Sequence, residues 1–244
     1  MAETVTEALE RSAMPKAAHD LLAVVASYRP LVARYLGHTD PNAPAVLRAE
    51  ADFRGYLRQN PALIDCDPAM TAWAFLRCVR LGLDLLRDEF AIIPYDRKPL
   101  PVVMYRGYCA LAYRSGMVKE IHANLVYAGE HFREDGGSSP KLVHTIDRDL
   151  HVPEKVAAAY AVATLTTGGK VWEVVTEREW ERARKASPLG AKERGPWKEH
   201  RPEMILKTAV RRFAESGKLP LSPTLADAVA EDEQVVEAEP DGAE

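Results

Sequence analysis

Cysteine is scarce and scattered: Cys66, Cys78 and Cys109 are the only three in 244 residues, and none stands in C-x-x-C spacing. An odd set so placed argues against a disulfide framework and a structural zinc site, and leaves three small apolar side chains for the core. Long apolar runs are missing too. None approaches the ~20 residues of a membrane-spanning helix. The first ten residues, MAETVTEALE, are polar and acidic, without the basic and then apolar segments of a secretory signal. The expectation is a soluble, intracellular protein. A G-x-x-x-x-G-K-[ST] loop is absent, so a motor driven by nucleotide hydrolysis through that loop is not expected. There is no internal repeat.

Positive charge is missing from one end only. From Asp227 onward there are eight acids (Asp227, Glu231, Asp232, Glu233, Glu237, Glu239, Asp241 and Glu244) and no Lys or Arg. The whole chain carries −4, so removing those eight charges leaves the remainder at −4 + 8 = +4. Between Glu177 and Lys218 the cations outnumber the acids twelve to seven. A basic region followed by an acidic tail is a common layout in proteins that meet nucleic acid.

The hydrophobic fraction of 47% is ordinary for a folded domain. Residues 1 to about 60 read as helical, interrupted at Pro30 and stopped at Asn60-Pro61. DPAMTAWAFLRCVRLGLDLL is a second helix, with Asp67 as N-cap and Pro68 in the first turn. Trp73, Phe75, Leu76, Val79 and Leu83 are expected on its buried side. FAIIPY and LPVVMYRG then read as a hairpin with the charged tip DRKP. YCALAYRSG is a short helix ended by Gly116. VKEIHANLVY, EHFRED, KLVHTI and VAAAYAVATLT alternate as strands, and TTGGK turns Tyr160–Leu165 back onto Val171–Val175. Thr176 and Glu179 form a capping box before TEREWERARKAS. Helices, then antiparallel strands, then helices define an α+β fold. After about residue 223 disorder is expected.

The stretch GPWKEHRPEMILKTAVRRF concentrates the charge. At 100° per residue Ile205, Leu206, Ala209, Val210 and Phe213 share one arc, with Lys207, Arg211 and Arg212 on the other side. The cations continue upstream as Arg182, Arg184, Lys185, Lys192, Arg194, Lys198 and Arg201. Trp197 adjoins Lys198. It either stacks on a base or anchors its loop to the core. Cations on phosphates with aromatics against bases are the usual chemistry of sequence-tolerant single-strand binding. YRGYCALAYRSGMVKE adds Tyr105, Arg106, Tyr108, Tyr113, Arg114 and Lys119, the tyrosines also serving as core.

These segments together resemble the RecT family of phage single-strand DNA annealing proteins. The resemblance covers roughly residues 60 to 223. It is carried by LGLDLLRDEFAIIPY, YRGYCALAYRSG, VYAGEHFRED, LVHT, AAYAVATLTTGGKVWEVVTEREWERARKAS and LPLSP. The most specific piece is W-x(6)-M-x(2)-K-T-x(2)-R-R, from Trp197 to Arg212. The resemblance implies a small antiparallel sheet packed on helices, similar to the core of the eukaryotic annealing proteins. It implies a recombinase without enzymatic chemistry that binds single-stranded DNA as a ring or helical filament and anneals a complementary strand. No cofactor is implied, ATP included. Mg²⁺ would enter only through charge screening between two phosphate backbones. The implied partners are single-stranded DNA and annealed duplex, further copies of the chain, a phage exonuclease and the host single-strand-binding protein, in the bacterial cytoplasm. Carried onto this chain, the DNA-binding candidates are Arg106, Arg114, Lys119, Arg184, Lys185, Trp197, Lys198, Lys207, Arg211 and Arg212. The organisation implied is a helical region 1–60 that supplies oligomer contacts, an annealing core 61–223 and an acidic tail 224–244.

The competing reading is a metal-dependent nuclease. Glu130, His131, Glu134, Asp135, His144, Asp147, Asp149 and His151 crowd one region, and carboxylates with histidines bind divalent metals. Their spacing matches no ligand pattern, and the resemblance makes EHF and LVHT structural strand positions. A helix-turn-helix regulator fits less well, because SPLGAKERGPW is too long for its turn.

Overall fold

The computed structural model describes residues 15–187, 195–220, 222–224 and 226–228. The chain divides into two compact units, Met1–Val102 and Val103–Glu244.

The first unit contains α1 (Lys16–Ser27), α2 (Arg29–Tyr35), α3 (Pro44–Gln59), α4 (Pro68–Leu81) and the hairpin β1 (Phe90–Tyr95) and β2 (Lys98–Val103). Pro30 stands in the first turn of α2, where its missing N–H costs nothing, so it starts a helix as it ends the previous one. Leu21, Val25, Val46, Phe53, Leu57, Phe75 and Leu76 are buried together as core. Phe53 and Phe75 meet with ring centroids 4.6 Å apart. The Arg29 guanidinium forks onto Glu50 with both bonds at 2.7 Å, tying α2 to α3. Because α4 and β1 pack among these elements, the compact unit takes in more than the helical region 1–60.

Helix α4 starts at its expected cap but stops at Leu81, short of the expected stretch to Leu86, so Leu83 lies beyond it. The Asp67 carboxylate accepts from the Met70 N–H at 2.8 Å, Pro68 occupies the first turn, and Gly82 ends the helix at φ 64°. Its buried face is Thr71, Ala72, Phe75, Leu76, Cys78 and Val79. Trp73 is a correction: it is 57% exposed and lies outside the core. It sits about 160° around the helix from Phe75, about 120° from Val79 and about 60° from Leu76, beyond the edge of the buried arc. The hairpin also closes more tightly than expected, with two residues, Asp96 and Arg97, between β1 and β2.

The second unit is built on a three-stranded antiparallel sheet of order β3-β6-β7, from β3 (Val118–Tyr127), β6 (Val156–Leu165) and β7 (Lys170–Thr176). Ala123 opposes Ala161, and Tyr160 opposes Val174. Ala159, Ala161 and Ala163 are fully buried on one face of the central strand. Their small side chains admit a helix close to the sheet. That helix is α8 (Arg201–Glu215), which packs on β3, β6 and β7 and also on α5 (Tyr105–Arg114), α6 (Glu177–Ala186) and α7 (Pro196–Glu199). The opposite face presents Ala158, Tyr160 and Val162 to Phe132 and Leu142 of a separate hairpin, β4 (His131–Asp135) and β5 (Lys141–Thr145).

The sheet edges are closed by side chains. The Tyr113 hydroxyl donates to Ile121 C=O and accepts its N–H, at 3.3 and 3.2 Å, and the Tyr105 hydroxyl accepts from the Ala123 N–H at 3.3 Å. On β7 the Lys218 ammonium donates to Trp172 C=O and to Glu173. Such capping removes the template that an open strand offers to another chain. The fold therefore bears out the α+β reading of a small antiparallel sheet on helices. Beyond residue 223 the Ala226 N–H donates to Ser222 C=O at 3.0 Å and Ala228 is buried. The remainder of the tail lies outside the described residues.

Candidate nucleic-acid interface

The basic stretch folds as α6, α7 and α8. The capping box forms: the Thr176 N–H and hydroxyl both donate to Glu179, at 2.9 and 2.8 Å. This fixes the first turn of α6 and places Arg184 and Lys185 in its last turn, where cations complement the helix dipole. Arg184, Trp197 and Lys198 line one cleft of about 560 Å³ with Glu154, Arg201 and Glu203. The structure thus brings together three of the ten expected residues. Arg106 and Arg114 are exposed on α5 and Lys119 is exposed near the start of β3. Lys192 and Arg194 lie outside the described residues.

Two placements correct the sequence reading. Trp197 is 5% exposed, so of its two expected roles the structure gives it the loop anchor, and its ring is not presented for stacking. Lys207 is 8% exposed and does not share an open face with Arg211 and Arg212. The cause is α8 itself, which neighbours cover on several sides, so that Thr208, Val210 and Ala214 are buried as well. A two-sided wheel does not describe a helix enclosed in this way.

The arginines are matched by glutamates that sequence reasoning left out. Arg184 pairs with Glu181 at 2.9 Å, Arg201 with the same Glu181 at 3.4 Å, Arg211 with Glu215 at 2.8 Å and Arg212 with Glu179 at 3.0 Å. The Arg201 guanidinium also lies 4.8 Å from the centre of the Trp180 ring. Burial alone would raise the Glu179 carboxyl; bonds from Thr176 and the charges of Arg212 and Arg182 outweigh it and lower its pKa. Glu181–Arg184 and Arg211–Glu215 have helical i,i+3 and i,i+4 spacing and were readable in sequence. Glu179–Arg212 joins two helices and was not. By contrast the ammonium groups of Lys119, Lys185 and Lys198 have no hydrogen bond or ion pair among the described residues, and all three residues are exposed.

The acidic and histidine-rich region is built as a hydrogen-bond hub. The Glu130 side chain is fully buried. It accepts from the Tyr127 N–H at 2.6 Å and the Asp147 N–H at 2.9 Å. His144 Nε2 and His151 Nε2 reach it at 3.2 and 3.1 Å. Burial by itself would push this carboxyl up, but the four bonds outweigh it and hold it at about 2, against an ordinary 4.5. With Glu130 ionised, His144 donates to it through Nε2, and the other ring nitrogen, Nδ1, lies 3.2 Å from the Tyr160 hydroxyl. Asn124 in turn donates to Tyr160 at 3.1 Å. No buried side-chain N or O in this chain of contacts is left without a partner, and its evident work is to fasten the β4–β5 hairpin and the 146–151 loop to the sheet. Among the described residues no group of three or more His, Cys, Asp or Glu is arranged to hold a metal ion. Nor is any helix among them long and apolar enough to cross a membrane.

Fold and site together define a class: an α+β protein whose sheet carries a central helix and whose rim carries arginine–glutamate pairs beside open lysines. Residues 49–243 match the RecT family, and the chain belongs to that family. It is 34% identical over 188 residues to protein RecT of Escherichia coli strain K12, covering 73% of this chain and 68% of that protein.

Proposed function

We propose that this chain anneals complementary single strands of DNA during homologous recombination, without nucleotide hydrolysis and as an oligomer on the strand. Membership of the RecT family carries this reading. The lysine chemistry fits it: a protein that pairs any two complementary strands must leave base edges free and hold the backbone by charge. Lys119, Lys185 and Lys198 have no competing carboxylate among the described residues and are the leading phosphate contacts. Arg106, Arg114, Arg184, Arg211 and Arg212 stand behind them. The glutamate-paired Arg184, Arg211 and Arg212 keep their orientation until a phosphate displaces or joins the pair. Base pairing itself supplies the driving force. Each subunit covers a few phosphates, so useful affinity comes from many subunits on one strand, and residues 1–60 supply contacts between copies. An exonuclease that generates single strands and the host single-strand-binding protein are the proposed partners. Mg²⁺ acts by screening.

The test is annealing of two complementary dye-labelled oligonucleotides without ATP, the protein being added to one strand first. Acceleration that weakens with salt supports the reading. No acceleration at any salt concentration contradicts it. The nuclease alternative predicts shortening of labelled single strands in Mg²⁺ or Mn²⁺, whereas annealing leaves them intact.

A further inference from the structure

The two-residue turn of the β1–β2 hairpin is strained in a telling way. Asp96 and Arg97 have φ of 44° and 61°. Two successive positive values define the type I′ turn that matches strand twist, where Asn-Gly or Asp-Gly is preferred. Asp96 suits the first position. Arg97 occupies the second, where an L side chain crowds the following carbonyl. Elsewhere among the described residues positive φ is taken only by glycine and by Asp88. Arg97 is therefore the single departure among the described residues from the preference for Gly, Asn or Asp at positive φ.

Nothing among the described residues compensates for it. The Arg97 side chain is exposed and makes no hydrogen bond or ion pair there, not even with Asp96 or Asp67. Only its backbone is held: Arg97 C=O accepts from the Asp67 N–H at 3.1 Å, at the capped start of α4. Lys98 beside it is also exposed and without a partner among the described residues. The turn thus presents two adjacent cations with no partner among the described residues, one of them at a conformational cost. Strain retained at an exposed position points to a use for the side chain.

We propose that this turn is a second phosphate contact: Arg97, with Lys98, binds the sugar-phosphate backbone of single-stranded DNA. It is separate in the chain from Lys119, Lys185 and Lys198, and it rests on the annealing reading above. A guanidinium suits the task because its planar fork matches phosphate oxygens.

The test compares Arg97→Gly and Arg97→Lys with the wild type, using an oligothymidylate probe across a salt series, thermal unfolding, and sedimentation without DNA. Arg97→Gly is expected to raise the unfolding midpoint by roughly 1–3 °C, since glycine accepts this φ. The same variant is expected to bind the probe more weakly at low salt, with the log–log salt slope reduced by ~0.7. Arg97→Lys should restore the slope. A Gly variant with the wild-type slope overturns the proposal. So does weakened binding with an unchanged or lowered midpoint, because the arginine would then be serving the turn. Altered sedimentation with an unaltered slope would assign Arg97 to a protein contact and also overturn it. If the wild type itself fails to bind the probe, the annealing reading falls first, which is a different result from a wild type that binds and a variant that binds equally.

Discussion

Replacing Glu130 with Ala leaves two backbone N–H groups and two imidazoles without their shared acceptor inside the fold. The expected loss is on the order of 3 kcal/mol, read as a lower thermal or urea midpoint. The same carboxylate gives a pH signature. Its pKa is depressed from 4.5 to about 2 in the folded chain, so its stabilising contribution is complete above about 4.5 and is lost as pH falls from there towards 2. Glu130→Gln should therefore unfold with a shallower pH dependence in that interval than the wild type. A second residue-scale prediction concerns the thiols. Cys78 is buried and burial pushes its thiol up; burial pushes Cys109 up to about 11, against a smaller opposing bond from Tyr105. At pH 8 a thiol reagent should label the native chain slowly and the unfolded chain fast. The sequence made the crowd of acids and histidines around Glu130 visible, but not its work. Spacing along strands shows which residues are near one another; only the docking of one hairpin on one sheet decides that a single carboxylate collects four donors.

At the scale of the element, helix ends were the most legible feature. Asp67 and Pro68 act where residue chemistry places them, because capping depends on a few neighbouring atoms; the other end of α4 was not read, since the expected helix ran on through Gly82, which stops it. Thr176→Ala should cost about 1 kcal/mol through the lost cap of α6. Helix faces were read less well, for two different reasons. Trp73 was assigned to the core by its size, although its position on α4 lies opposite the buried arc. Trp73→Ala should leave the midpoint within about 0.5 kcal/mol of wild type, whereas Phe53→Ala, in the centre of the same unit, should lower it by about 3–5 kcal/mol. Lys207 was misplaced for another reason: the wheel of α8 was sound, but the number of elements surrounding the helix is not written in its own sequence. The pairing of β6 with β7 was read from alternation and a Gly-Gly turn; its register, with Tyr160 opposite Val174, comes from the structure. The size of the β1–β2 turn escaped because an arginine at positive φ is not what a turn sequence usually offers.

For the whole molecule the argument turns on charge. The chain carries −4, yet residues before Asp227 carry +4. Deleting residues 229–244 removes seven acids and no cation, changing the net charge from −4 to −4 + 7 = +3. That truncation should bind single strands faster and more tightly at low salt, with the difference vanishing as salt rises. Glutamate pairing makes the local field on α6 and α8 weaker than a count of arginines suggests, so the proposal assigns phosphate binding first to cations without such partners among the described residues. The most direct test is the salt dependence of single-strand binding for the wild type, for Lys119→Ala/Lys185→Ala/Lys198→Ala, and for Arg184→Ala/Arg211→Ala/Arg212→Ala. The lysine variant should show a log–log slope shallower by about 2, from three contacts of ~0.7 each, and the arginine variant a smaller change. A lysine variant with the wild-type slope would contradict the account.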